Sequence, residues 1–263
     1  MSKNYENGIV AITAGGSTDI SKDIETTGNV YWVDSVNGND ANNGTNRNEP
    51  KATLDSALTS TTANNGDIVI VEANHAEVLS AGITFSKAGV RIFGLGTGTS
   101  KPSFTCDGNI SLFSVTAKHV EINNFQFPAG TTATNVVRVN ANSDGIIIKN
   151  CDFTCGQFDE TSINITTSDR VRIEGCTFLV VENGPIQAID TTLTCDGIII
   201  DGCIFDGGAF NWDNAAIFLD GAVLNFKIVD NTLLNKANIV SSAGTAKGQA
   251  VGTIAGDGSR IEI

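Results

Sequence analysis

Glu174 and Asp201 are the two carboxylates whose types and spacing could do chemistry. They occupy the fourth position of two related octets, VRIEGCTF from Val171 and IIIDGCIF from Ile198, which lie 27 residues apart. If such octets stack as neighbouring strands, the two carboxyl groups stand about 5 Å apart, the separation a retaining glycosidase uses. The full column reads Asn123, Lys149, Glu174, Asp201 and Val229. Lys149 stacked beside Glu174 gives a competing reading, a cross-strand ion pair on a solvated face.

Other residues offer weaker chemistry. Asp34 and Asp40, in DSVNGNDANNG, are candidate metal ligands because the stretch is rich in oxygen donors. It lacks EF-hand spacing, since Val36 takes a ligand position and no Glu stands twelfth. Asn-Gly and Asx clusters also make tight turns, and the expectation is a turn with no metal and no cofactor. His75 has Glu77 two residues on, which reads either as a general base or as a hydrogen-bonded turn histidine. His119 has no evident partner. GLGTG, from Gly94, lacks the lysine and following helix of a phosphate loop and reads as a corner between strands. The cysteines at 106, 151, 155, 176, 195 and 203 show no metal-binding spacing.

The elements that must position these residues come from a repeat. VRIFGLGT from Val90, VEINNFQF from Val120, IIIKNCDF from Ile146, VRIEGCTF, IIIDGCIF and FKIVDNTL from Phe226 follow one another at offsets of 30, 26, 25, 27 and 28 residues. The third position is always Ile, at 92, 122, 148, 173, 200 and 228. The fifth is Gly94, Asn124, Asn150, Gly175, Gly202 or Asp230, residue types that tolerate a left-handed backbone. The sixth column reads Leu95, Phe125, Cys151, Cys176, Cys203 and Asn231, and the eighth Thr97, Phe127, Phe153, Phe178, Phe205 and Leu233. Stacked cysteines in such a column behave as small apolar residues. Neighbouring turns bring their Cα atoms within disulfide range, although an intracellular origin keeps thiols reduced.

Alternation, a bend at five, then alternation again describes two short strands around a one-residue corner. A third alternating run precedes each octet: LFSVT, VVRVN, SINIT, IQAID and AIFLD. Its outward column is expected to be Ser114, Arg138, Asn164, Ala188 and Phe218. Three short strands per repeat predict an all-β chain, a single-stranded right-handed parallel β-helix of about 6–7 coils. In EPKATLDSALTST, Leu54, Ala57 and Leu58 share a helical face, which predicts a helix capping the first coil. The domain reading is an extended arm over 1–29, a turn and capping helix over 30–66, and the β-helix with an irregular carboxyl end over 67–263.

YWVDSVNGNDANNGTNRNEPKATLDSAL followed by GDIVIVEANHAE resembles the first module of pectate-lyase-like β-helix proteins. The longer stretch GDIVIVEANHAEVLSAGITFSKAGVRIFGLGTGTSKPSFT looks like β-helix proteins of tailed-bacteriophage virions. The likeness covers about residues 30–128 by motif and the later repeats by pattern. It implies a structural virion protein and no catalytic residues. The short arm and few coils favour a capsid decoration or accessory protein, a homotrimer held to the major capsid or tail protein through residues 1–29. The alternatives on this fold are a tail fibre or tailspike component, a carbohydrate-active hydrolase or lyase using Glu174 and Asp201, and an adhesin binding a host-surface glycan.

Charge narrows the partners. A net charge of −13 and a pI of 4.4 argue against nucleic acid and against an anionic membrane. No apolar run reaches a membrane span and the amino terminus has no signal-peptide pattern. The expected location is therefore the virion, after synthesis in host cytoplasm, and the expected role is not enzymatic.

Overall fold

Each octet alternates, bends and alternates again, so each can close only by laying its strands on those of the next octet. A computed structural model, describing residues 26–128, 133–156, 161–182, 185–210, 212–213, 215–219, 223–235, 239–241, 247–251 and 254–255, shows the result. It is an all-β parallel solenoid of about six turns. The strands form three parallel sheets, here called A, B and C. Sheet A carries the first half of each octet, for example Ile147–Lys149, Arg172–Glu174 and Ile199–Asp201. Sheet B carries the second half, such as Asp152–Cys155, Thr177–Val180 and Ile204–Asp206. Sheet C carries the preceding run, including Asn135–Val139, Thr161–Thr166, Gln187–Thr192 and Ala215–Leu219.

Parallel register puts like on like. Ile92, Ile122, Ile148, Ile173, Ile200 and Ile228 pair in succession, and all are fully buried. The turn from sheet A to sheet B is one residue long, and it needs a positive φ. Asn124, Asn150, Gly175, Gly202 and Asp230 supply it, with φ of 67, 55, 59, 60 and 51°. Gly94 does not share this geometry. It is needed for another reason, because a Cβ there would strike the carbonyl oxygen of Asn124 and the ring of Pro102.

The first octet departs from the others. Its eighth residue, Thr97, is not in the aromatic column; Ser103 pairs with Gln126, which places Phe104 in the neighbourhood of Phe127. A short 3-10 turn, Gly98–Ser100, occupies the extra length. Leu95 likewise leaves the sixth column and packs outside, against Ile68, Ile70 and Phe93. From Phe127 onward the stack is regular, with ring centroids 5.0, 4.8 and 4.8 Å apart through Phe153, Phe178 and Phe205 and planes within 19°. Such pairs add about 0.5–1.5 kcal/mol beyond the burial of their area.

At the amino end, Leu54–Ser60 forms a helix whose Leu54, Ala57 and Leu58 join the core. Thr53 caps it by accepting from Ser56 N, and Asp40 accepts from Ala52 N and Thr53 N at 2.9 and 3.0 Å. Val30–Val33 is the outermost strand of sheet A on this side. Its free edge is closed by the following loop: Trp32 N donates to Gly44 O and Lys51 N to Trp32 O. That removes a template for edge pairing.

The corner between sheets C and A carries a ladder of carboxylates. Asp144 Oδ1 accepts from Asp169 N at 3.2 Å, Asp169 Oδ1 from Asp196 N at 2.9 Å, and Asp196 Oδ1 from Asn225 Nδ2 at 2.7 Å. Lys118 Nζ donates to Asp144 Oδ2 at 2.8 Å. That bond, with the Asp169 N–H and the charges of Lys118 and Arg170, holds the Asp144 carboxyl below its ordinary value.

Two outcomes follow from this packing. Phe178→Ala, in the middle of the stack, should cost about 3–5 kcal/mol, read as a lower urea midpoint with unchanged slope. Because the folded Asp144 titrates below its unfolded value near 3.8, its contribution is present above that pH and lost as pH falls through the folded value. Asp144→Asn should therefore destabilise the protein at pH 7, and the difference from the parent should shrink in acid.

Candidate functional site

The outer face of sheet C gathers the polar groups best placed to meet a ligand. The early residues of its strands are buried on both faces, as with Leu112 and Phe113, Val136 and Val137, and Ala216 and Ile217. The outer face opens one step later. There the register aligns Ser114, Arg138, Asn164, Asp190 and Phe218 in one row. At about 4.8 Å per strand the row spans about 20 Å.

Asp190 corrects the expected column, which had Ala188 at this place. Ile163 pairs with Ile189 and Asn164 with Asp190, so the strand is shifted by two residues from the alignment of IQAID with SINIT. A two-residue slip keeps every side chain on its own face, so alternation cannot detect it. Thr191, fully buried, takes an inward place that an apolar residue would have marked. The signal that could have found Asp190 is the buried Ile189, aligned as the partner of Ile163 and Ile217.

The row is tied together by hydrogen bonds. Asn164 Nδ2 donates to Asp190 Oδ2 at 2.9 Å and to Thr192 Oγ1 at 3.4 Å. Thr166 Oγ1 donates to Asn164 Oδ1 at 3.0 Å, and Asn140 Nδ2 to Ser114 Oγ at 2.9 Å. Asp190 is only 9% exposed, whereas Arg138 is exposed and makes no ion pair with another described residue. The result is an oriented carboxylate between an amide and an aromatic ring, with a guanidinium two strands away.

Glu174 and Asp201 do come together, as register partners on adjacent strands of sheet A. Their surroundings differ from the expected ones. Glu174 is engaged by Arg172 of its own strand, whose Nε donates to Oε1 at 2.7 Å. Lys149, register partner of Glu174, instead reaches Glu121 at 2.8 Å. A carboxylate held by a guanidinium is not presented to a substrate oxygen.

The acidic loop near the amino end holds no shared ion site. Asp34 accepts from Val36 N and Asn37 Nδ2, both at 2.8 Å. Burial pushes the Asp34 carboxyl up, but those bonds, with the Asn37 N–H, outweigh it and hold the group low. Asp40 serves the helix start instead. The nearby carbonyls of Asp40 and Asn42 converge on the Lys51 ammonium at 3.2 and 2.9 Å, where a cation is already supplied by the chain. Among the described residues no group of three or more His, Cys, Asp or Glu could hold a metal.

His75 is a buried staple. Its Nδ1 accepts from Ser35 N at 2.9 Å, so Nε2 carries the proton and donates to Glu77 Oε1 at 2.7 Å. The same Glu77 oxygen accepts from Leu54 N at 2.7 Å, tying strand, loop and helix together. His119 stands at a corner with φ of 57°. The six cysteines are free and buried. Burial, reinforced by the thiols of Cys151 and Cys203, pushes the Cys176 thiol well above its ordinary value. Asn231 continues their column with both ends of its amide bonded, accepting from Cys203 N and donating to Ile200 O.

No protein-family model matches the chain, and no curated protein matches it. Solved structures do. A rhamnogalacturonan lyase is similar over 87% of this chain and 68% of its own, at 15% identity and a TM-score of 0.48. A GH136 lacto-N-biosidase from Eubacterium ramulus matches over 85% and 66%, at 10% identity and 0.44. Geobacillus virus E2 ORF18 matches over 76% and 57%, at 11% identity and 0.36. The chain thus spans 57 to 68% of the length of these three. At such identities, and with TM-scores below 0.5, the likeness adds nothing to the parallel β-solenoid that the strand pairing already gives.

This finding corrects one expectation. The protein was expected to be no enzyme, yet the structures it matches include, beside that lyase and biosidase, a pectin methylesterase and an alginate lyase. One match is viral, and nothing in it speaks to a capsid role. Residues 1–25 of the expected attachment arm lie outside the described residues.

The thiols give a direct check of this interior. Native protein should react with Ellman's reagent at none of its six cysteines within minutes, and at all six once unfolded. Rapid reaction of any ladder cysteine in the native state would contradict the burial described.

Proposed function

We propose that this is a carbohydrate-active protein that lays a glycan along the outer face of sheet C and cleaves it at Asp190. The observation that carries the reading is the row itself: Asp190, oriented by Asn164, stands in register between that amide and Phe218, with Arg138 further along. Amides, hydroxyls and a carboxylate match the donors and acceptors of sugar hydroxyls, and an aromatic ring matches their apolar faces.

The residues favour elimination over hydrolysis. Hydrolysis with either stereochemistry needs two carboxyl groups flanking the bond, and the described row on sheet C supplies one. Elimination needs one base and a cation. Asp190 takes the proton next to the carboxylate of a uronate unit, Arg138 holds that carboxylate, and the electron pair left behind forms a double bond as the glycosidic C–O bond breaks and the departing oxygen takes a proton from water. Hydrogen bonding from Asn164 keeps the base aimed during the transfer.

The test is a panel of acidic and neutral polysaccharides, followed by ultraviolet absorbance of the new double bond and by reducing ends. Asp190→Asn should lower the rate of cleavage by about 10²–10⁴-fold. Glu174→Gln/Asp201→Asn should leave it within about twofold, because uninvolved surface changes are small. The reverse pattern would move the site to sheet A. If the parent neither cleaves nor binds any member of the panel, the proposal is overturned.

A further inference from the structure

An asparagine followed by glycine can hydrolyse its own side-chain amide, because no side chain crowds the backbone nitrogen that attacks it. The chain has five such pairs, Asn7-Gly8, Asn37-Gly38, Asn43-Gly44, Asn65-Gly66 and Asn183-Gly184. The middle three lie wholly within the described residues. The reaction needs a glycine N–H that is free, a side-chain oxygen ready for negative charge, and an Nδ2 that can leave.

Two of the three pairs are held back by the fold. Asn37 Nδ2 donates to Asp34 Oδ2 at 2.8 Å and Gly38 N donates to Asp34 O at 2.9 Å, so leaving group and nucleophile are both tied. Asn65 Nδ2 donates at 2.7 Å to Asp67 Oδ1, on a fully buried carboxylate that also accepts from Asn29 N and Thr62 N.

Asn43 has the opposite arrangement. It is exposed, and neither its Nδ2 nor Gly44 N donates to another described residue. Its Oδ1 accepts from both Thr45 N and Thr45 Oγ1 at 3.0 Å. Two donors on one carbonyl oxygen stabilise the charge that gathers there when a nucleophile adds to the carbon. The glycine is also fixed in the loop: Gly44 has a φ of 77°, and a Cβ there would stand 3.0 Å from Lys51 Cγ.

We propose that Asn43-Gly44 is a self-modifying site of the folded protein, with water as co-reactant and Thr45 as the oxyanion donor. Hydroxide takes the proton of Gly44 N, and that nitrogen bonds to the side-chain carbonyl carbon of Asn43. The bond to Nδ2 breaks, and Nδ2 takes a proton from water and leaves as ammonia. Water then opens the five-membered imide at either carbonyl, leaving aspartate or isoaspartate at position 43. The isoaspartyl form routes the backbone through one extra carbon between two anchors of the loop, Lys51 Nζ on Asn42 O at 2.9 Å and Trp32 N on Gly44 O at 2.7 Å. The second anchor closes the outer edge of sheet A, so the modification loosens the guard on that edge. The proposal stands apart from the reading of sheet C.

The full-length chain is incubated at mildly alkaline pH, folded or in urea, then digested, and each Asn-Gly peptide is followed by mass spectrometry. Unfolding removes the differences in hydrogen bonding, so the folded-to-unfolded rate ratio at each pair reports the structure. Folding should slow Asn37 and Asn65 by about fivefold or more, the effect of a hydrogen bond that must break, and should leave Asn43 at least as fast as in urea. Thr45→Val should slow Asn43 by about fivefold in the folded chain only, and Thr45→Ser should restore it. Chains carrying isoaspartate should lose hydrogen-exchange protection at Trp32 N. Protection of Asn43 on folding, to the degree seen at Asn37 and Asn65, would overturn the proposal. A parent-like rate in Thr45→Val would remove the oxyanion role, and an unchanged Trp32 amide would remove the effect on the edge.

Discussion

Everything in this protein depends on the parallel stacking of like residues at the strand spacing. A parallel ladder fixes the distance between consecutive turns at about 4.8 Å, so each inward position of a repeat meets its own counterpart above and below. That constraint turns a loose sequence repeat into columns of Ile and Phe and a column of thiols. It also makes each column selective. An isoleucine meeting an isoleucine fills the layer, whereas a change in one turn disturbs both neighbours.

The corners are the second requirement. One residue must turn the chain from sheet A to sheet B without breaking the ladder, which calls for a left-handed backbone. Asn, Gly and Asp meet it at low cost, and their side chains or backbone then bond to adjacent turns, as Asn150 does to Asn123 and Asn124 to Gly94 O and Gly96 O. Where the first octet lacks the one-residue corner, the chain needs the extra length of Gly98–Ser100 to bring Phe104 back to the interior. The polar outer face of sheet C exists because these inner demands are already met. Its side chains bond with one another, as Asn164 does with Asp190 and Asn140 with Ser114.

Burial also decides which titratable groups remain available. His75 and Glu77 are consumed in joining strand, loop and helix, and the Lys51 ammonium consumes the loop carbonyls. Arg172 engages Glu174. Asp190, only 9% exposed, is held by the Asn164 amide within the polar row of sheet C.

The sequence by itself determined the solenoid. A period-2 pattern broken by a left-handed residue at constant phase is a local signal, and the recurrence of Ile and Phe at 25 to 30 residues carries it through the chain. It also placed Glu174 opposite Asp201, because both sit in well-marked octets. Only the tertiary structure decided what those acids meet, since Lys149, in register with Glu174, pairs with Glu121 instead and leaves Glu174 to Arg172. It alone found Asp190, because a shift of two residues preserves alternation and only the pairing of Ile163 with Ile189 distinguishes the two registers. Period reports which side of a strand a residue faces. Which neighbour it faces is set by packing between turns.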